Sequence, residues 1–138
     1  MTTPVSQCTV IIQVWVDTKA VQAGSAKGVY MVDSRRPRRS QKRALGALQT
    51  AVARNAVICW TLLPIDPKFT AAGGTLQMQA IGNSNAWGAG GQPRMIDATT
   101  YTGSAQNAGT ANYHISIDVL APGKSRIALS LNPSMTVN

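Results

Sequence analysis

Apolar and polar residues alternate along several short stretches of this chain. Within residues 8–17, every second position is a β-branched apolar residue: Val10, Ile12, Val14 and Val16. A period of two is typical of a β-strand with one buried face. Similar alternation, or a short continuous apolar run, predicts further strands over residues 29–32, 56–63, 74–81, 113–119, 127–131 and 135–137.

The spacing of these strands predicts an all-β fold. The turn-forming sequence Ala121-Pro122-Gly123-Lys124 separates residues 113–119 from 127–131, which predicts an antiparallel hairpin. Several short strands without alternating helices indicate an antiparallel β-sandwich of jelly-roll or immunoglobulin-like type. Because 138 residues suit one core, we expect a single domain over residues 1–138. Residues 82–93 are rich in Gly and Asn, which predicts a loop.

Residues 44–54 are the one stretch in which helix and strand compete. Leu45, Leu48 and Val52 have the spacing of a helix face. Gly46 within the stretch and the bases at its start both disfavour a helix. We therefore predict a loop followed by a short strand.

The positive charge of the chain is concentrated in one run. The net charge is +8, and six of the 13 bases lie within residues 35–43: Arg35, Arg36, Arg38, Arg39, Lys42 and Arg43. The other seven bases face five acidic residues, which leaves a net of +2 for the rest of the chain. We predict an exposed loop here, which is either simply solvated or a contact for a polyanion such as nucleic acid.

The cysteines and the absence of a targeting pattern bear on location. Cys8 and Cys59 lie in apolar runs without the spacing of a metal site or a redox motif. We therefore expect them to be buried free thiols. No apolar stretch has the layout of a signal peptide or the length of a membrane span. These patterns predict a cytoplasmic protein that does not cross a membrane.

The residue types that catalysis requires are sparse. The one histidine, His114, lies about 13 Å along its predicted strand from Asp118, too far to form a dyad by that spacing. The aspartates are scattered, no cluster of His and Cys has metal-ligand spacing, and residues 87–91 lack the ending of a phosphate-binding loop. We expect neither an enzyme nor a cofactor or metal.

Two tryptophans are candidate ligand contacts. Trp15 shares a strand face with Gln13, and Trp87 lies in the glycine-rich loop, so either ring stacks on a ligand or covers the core. Amide side chains in the loops at 82–92 and 106–112 suit hydroxyl groups. The predicted lectin-like site, for a carbohydrate or another small ligand, consists of Trp15, Asn83, Asn85, Trp87 and Gln92.

From the N-terminal strand ending at Val16-Asp17 onward, the order of sequence features resembles the PixA/AidA inclusion-body family of bacterial proteins. The matching segments are 28–33, 48–52, 57–60, Trp87, the strand around Tyr113, and the closing 129–137. The resemblance implies a small non-enzymatic protein whose production follows growth phase or quorum sensing and which sometimes accumulates in cytoplasmic inclusions. Our leading hypothesis is therefore a structural or interaction protein that forms homo-oligomers through its β-sheets. The lectin-like module is the alternative.

Overall fold

The computed structural model describes residues 5–24, 28–34, 43–44, 49–82 and 84–138. A 3₁₀ turn at Val5–Gln7 precedes the first strand, and the described part is mostly β. The elements follow in the order β1 (Val10–Val16), α1 (Thr18–Gln22), β2 (Val29–Asp33), β3 (Arg43–Ala44), β4 (Gln49–Val52), β5 (Ala56–Pro64), α2 (Lys68–Ala71), β6 (Thr75–Ile81), β7 (Arg94–Asp97), β8 (Thr100–Ala105), β9 (Gly109–Asn112), β10 (Ile115–Leu120), β11 (Ile127–Leu131) and β12 (Ser134–Val137).

A six-stranded sheet in the order β3-β2-β1-β5-β8-β7 forms one side of the core. The alternation in β1 is realised as predicted, since its four β-branched residues at even positions are buried and Ile11 on the opposite face is 43% exposed. Strand β5 is central in this sheet, and its consecutive residues Ile58, Cys59 and Trp60 are all buried. This agrees with the continuous apolar run of its sequence.

The other strands are organised around one long, bent hairpin. Its two arms are β9 followed by β10, and β11 followed by β12, in one continuous register that pairs Gly109 with Val137 and Val119 with Ile127. Between the two paired stretches, the Tyr113 amide donates to the Pro133 carbonyl oxygen at 3.0 Å. Strand β4 pairs with β12 on one side, and β6 pairs with β10 on the other. The hairpin therefore links two three-stranded sheets.

A single hydrophobic core receives side chains from all three sheets. The six-stranded sheet contributes Ile12 and Trp60, the β6–β10–β11 sheet contributes Met78 and Ile117, and the β4–β12–β9 sheet contributes Met135, all essentially inaccessible to solvent. This arrangement agrees with the single domain predicted from the length of the chain.

The prediction of a purely antiparallel fold is wrong. Strand β1 pairs with β5 in parallel, and β12 pairs with β4 in parallel, so two of the sheets are mixed. Each parallel partner is far along the chain, and local alternation does not indicate which strands become neighbours. Strands β7, β8 and β9 and the two short helices were not predicted either. In residues 44–54, the described part holds strand β4 and no helix, as predicted.

The prediction of free thiols is also wrong, because Cys8 and Cys59 form a disulfide. Parallel pairing of β1 with β5 places Ile11 beside Cys59, and Cys8 lies just before β1. The two Cα atoms are consequently 5.8 Å apart despite a sequence separation of 51, a distance suited to a disulfide. The bond fastens the N-terminal segment to the central strand of the six-stranded sheet.

We predict that reduction of this disulfide destabilises the fold by about 2–5 kcal/mol, because a bond that closes a long loop restricts the unfolded chain. Urea unfolding with and without dithiothreitol measures the change in the free energy of unfolding. The variant Cys8→Ala/Cys59→Ala is the control, since it is expected to show the lower stability under both conditions. An unfolding midpoint of the parent that does not respond to dithiothreitol would contradict the bond.

Candidate functional site

A polar cleft of about 680 Å³ opens beside strand β9. Strand β6 follows β10 as far as Gly82, whose amide donates to the His114 carbonyl oxygen at 2.8 Å, and the chain then turns away. Among the described strands, β9 has a neighbour on one side only, β12. The cleft lies between β9 and the departing loop and is lined by Ser84, Asn85, Gly88, Gln92, Thr110, Ala111 and Asn112.

The loop that forms one wall of the cleft is held in place by Trp87. This side chain is 1% exposed, and its indole Nε1 donates to the Gly82 carbonyl oxygen at 3.0 Å. Its ring therefore offers no face to a ligand, and the prediction that Trp87 stacks on a sugar or a base is wrong. The alternative interpretation, a ring that covers the core, describes its position.

Trp87 belongs to a cluster of three buried aromatic rings. Its ring centroid lies 5.4 Å from that of Trp60 on β5 and 5.1 Å from that of Tyr113 in the long hairpin, both edge to face. Trp60 and Tyr113 are 6.0 Å apart, and the Trp60 indole Nε1 donates to the Tyr113 hydroxyl at 3.1 Å. Edge-to-face pairs are favourable beyond the burial of their area. The cluster connects the central strand, the cleft loop and the hairpin.

Two glycines let the loop approach strand β8 closely. A Cβ on Gly91 would overlap the carbonyl oxygens of Ser104 and Trp87, which are backbone atoms that cannot move aside. Gly88 has a φ of +68°, in the left-handed region that favours glycine. The contact is closed by hydrogen bonds from the amides of Ser104 to the Gly91 carbonyl oxygen at 3.1 Å and of Gln106 to the Ala86 carbonyl oxygen at 2.9 Å. The glycine-rich composition thus marks an ordered turn.

The structure brings together part of the predicted ligand site. Asn85 and Gln92 both line the cleft, whereas Asn83 lies outside the described residues. The loop predicted at 106–112 contains strand β9, which supplies Thr110 and Asn112 from the opposite wall. Neither residue was predicted as a contact, and the amide-rich composition of that segment is the signal that indicates them.

Several polar atoms of the cleft retain free hydrogen-bonding capacity. The Gln92 amide nitrogen donates to the Ile81 carbonyl oxygen at 2.9 Å, and the Asn112 amide nitrogen lies 3.5 Å from Asn132 Oδ1. The Thr110 hydroxyl pairs with that of Thr136 at 2.9 Å. The Gln92 and Asn112 amide oxygens and the whole Asn85 amide have no hydrogen-bond partner among the described residues. The described residues that line the cleft are all uncharged.

Trp15 lies at a different place, on the outer face of the six-stranded sheet. It is half-buried and is the cross-strand partner of Tyr30 on β2. These rings, with Val32 and Ile65, line an apolar groove of about 330 Å³. The indole Nε1 of Trp15 donates to Gln13 Oε1 at 3.3 Å on the same face. Trp15 is therefore separate from the amide groups with which it was predicted to act.

The remaining candidates contribute no assembled site in the described part. Of the basic run, residues 35–42 lie outside the described residues, as does the side chain of Arg43, so polyanion binding stays a prediction. Asp118 forms an ion pair with Arg126 at 3.5 Å and accepts a hydrogen bond from Gln79. The described residues include no group of three or more metal-ligating side chains. No helix among them is long and apolar enough to span a membrane.

The sequence of residues 8–126 matches the family described as a domain of unknown function, DUF8788. The chain belongs to this family. No curated protein matches the chain in sequence.

Two solved structures are similar in fold to differing degrees. The crystal structure of the inclusion body protein PixA from Burkholderia cenocepacia matches over 94% of each chain with a TM-score of 0.65 and 8% identity. A cysteine protease inhibitor from Entamoeba histolytica matches over 67% of this chain and 88% of its own, with 13% identity and a TM-score of 0.32, too low to carry an argument. At this identity, the likeness to PixA shows a shared fold alone.

We predict that the aromatic cluster makes the fold sensitive to alkaline pH. Burial raises the pKa of Tyr113 above its ordinary value near 10. Below pH 10, the Tyr113 hydroxyl is protonated in both the folded and the unfolded chain, so its contribution to stability is complete. As the pH rises further, this contribution is lost, because the unfolded chain releases a proton that the folded chain retains. The free energy of unfolding should fall by about 1.4 kcal/mol per pH unit above pH 10 from this residue.

Urea unfolding at pH 9, 10 and 11, with Tyr113→Phe as the comparison, measures this effect. The variant should be about 1–3 kcal/mol less stable at neutral pH, because the Trp60 N–H loses its acceptor. Its alkaline slope should be shallower than that of the parent but not zero, since burial also raises the pKa of Tyr101. Equal slopes in both proteins would contradict the assignment.

Proposed function

We propose that this protein is a non-enzymatic structural protein that self-associates through the outer face of its six-stranded sheet. The observation that carries the proposal is the apolar groove formed there by Trp15, Tyr30, Val32 and Ile65. We further propose that the packed sheets form a β-sandwich, and that the occupant of the outer face is a second copy of this chain.

The composition of this face favours a protein contact over water. An antiparallel strand pair such as β1 and β2 normally presents polar residues on a solvated face. Here β1 presents Ile11 and Trp15 and β2 presents Tyr30 and Val32, while Ile65 just after β5 is 46% exposed. Large aromatic residues are enriched at interfaces because they bury much area at a small cost in conformational entropy. A two-fold contact would place the same patch of both copies together.

The likeness in fold to an inclusion body protein also supports the proposal. PixA is described as an inclusion body protein, and inclusion bodies consist of assembled protein. Production under quorum sensing and accumulation in the cytoplasm are further proposals, which come from the sequence resemblance to the PixA/AidA family. The Cys8–Cys59 disulfide weighs against a cytoplasmic location, since such bonds persist mainly in oxidising compartments.

The net charge of the chain sets the conditions under which association should be strongest. At +8, two copies repel one another, and dissolved salt screens that repulsion. Added salt does not weaken contacts between apolar faces, because these contacts do not depend on charge. Association through the outer face should consequently increase from low to moderate ionic strength, whereas association through salt bridges would decrease.

We predict that the weight-average mass rises above the 14.5 kDa of one chain as protein concentration increases, and rises further at moderate salt. Light scattering after size exclusion at two salt concentrations measures this mass. The variant Trp15→Ala/Tyr30→Ala should stay monomeric at concentrations where the parent associates.

The control for this experiment is Met95→Ala/Ile96→Ala, which removes exposed apolar side chains from β7, at an edge of the sheet. It should associate as the parent does. A parent that stays at the mass of one chain under all conditions would overturn the proposal, and so would equal association of the parent and the Trp15→Ala/Tyr30→Ala variant.

A further inference from the structure

We propose that the polar cleft beside β9 binds a neutral carbohydrate. This site is separate from the outer sheet face and does not depend on self-association. Its contacts would be Asn85 and Gln92 from the loop and Asn112 from β9, all three of which line the cleft. The volume of about 680 Å³ lies within the range of small-molecule sites.

The charge of the lining selects the class of ligand. Among the described residues of the lining, Ser84, Asn85, Gln92, Thr110 and Asn112 carry no charge, and the others are Gly88 and Ala111. An anionic ligand would therefore meet no compensating cation in this described lining. A hydroxyl-rich neutral ligand loses less hydration energy, and each hydroxyl can be matched by an amide.

The free polar atoms match the bonding pattern of a sugar. An amide side chain offers an acceptor oxygen and two N–H donors, and a hydroxyl both donates and accepts. Asn85 has its whole amide available among the described residues, while Gln92 and Asn112 have free amide oxygens. Hydroxyl groups of one ligand could therefore donate to the oxygens and accept from Asn85 at the same time.

The cleft loop is fixed before any ligand arrives. The buried Trp87 ring anchors its centre, and the Gly90 amide donates to Gln106 Oε1 at 3.2 Å. The Gln92 side chain is held by its bond to the Ile81 carbonyl oxygen. Because these groups are already ordered, binding does not incur the entropic cost of ordering a loop.

The aromatic ring of this region is turned into the core, so amides rather than stacking provide recognition. A few hydrogen bonds in an open cleft give a dissociation constant on the order of a millimolar for a single sugar. Multivalent display of the glycan raises the apparent affinity without new contacts. The test therefore uses a surface that presents many copies of each glycan.

The experiment is a printed array of neutral and acidic glycans, followed by a titration of the strongest neutral hit monitored by amide chemical shifts. The parent should bind one or more neutral glycans, with shift changes at residues 84–92 and 109–112. Asn85→Ala/Asn112→Ala should bind at least tenfold more weakly. The control Gln77→Ala removes an exposed amide from β6 outside the cleft and should bind as the parent does.

Three results would overturn the proposal. The first is a parent that binds no glycan on the array. The second is a preference for acidic glycans, which contradicts the neutral class. The third is unchanged affinity in Asn85→Ala/Asn112→Ala, with its fold verified by circular dichroism, which removes the cleft as the site. None of these results bears on association through Trp15 and Tyr30, because the two surfaces share no lining residue.

Discussion

The contact among the rings of Trp60, Trp87 and Tyr113 joins segments that are distant in the sequence. Trp60 belongs to the central strand of the six-stranded sheet, Tyr113 to the middle of the long hairpin, and Trp87 to the loop between β6 and β7. Both buried indole N–H groups have acceptors, and the described residues include no buried side-chain polar atom without a partner. Because a buried N–H group without an acceptor costs free energy, these hydrogen bonds fix the positions of the three rings, in addition to the stabilisation from burying their apolar surface. The path of the cleft loop, and hence the cleft, depends on it.

Two surfaces of opposite character follow from the way the strands are used. The outer face of β1 and β2 is largely apolar because Ile11 and Trp15 in β1 and Tyr30 and Val32 in β2 carry large side chains that the core does not cover. The cleft is polar because the chain turns away after Gly82 and β6 does not extend alongside β9, so a loop with amide side chains lies there instead. An apolar sheet face suits another protein surface, and an uncharged polar cleft suits a hydroxyl-rich ligand. One small domain can hold both functions without sharing residues between them.

Local pattern predicted many of the strands, though not β7, β8 or β9, and it predicted few of the strand partners. The alternation in Val10–Val16 and the hairpin of β10 and β11 were predicted correctly, because side-chain period and turn chemistry are local properties. Parallel pairing of β1 with β5, which joins residues such as Val10 and Ile58, and the Cys8–Cys59 bond that follows from it, with a separation of 51, depend on contacts far apart in sequence. Of the predicted site residues, Asn85 and Gln92, which the amide-rich composition singled out, line one cleft. The composition could not indicate that Trp87 points inward, because a loop tryptophan has the same sequence context whether it is exposed or buried.

The aromatic cluster holds the cleft loop as rigidly as the core, and amide hydrogen exchange measures this rigidity most directly. The amides to follow are those of Ser104 and Gln106, which donate to the Gly91 and Ala86 carbonyl oxygens of the loop. We expect protection of both amides close to that of β5 in the parent, because they open only when the core opens. Rapid exchange of these two amides while β5 remains protected would show that the loop opens independently of the core, contrary to this expectation.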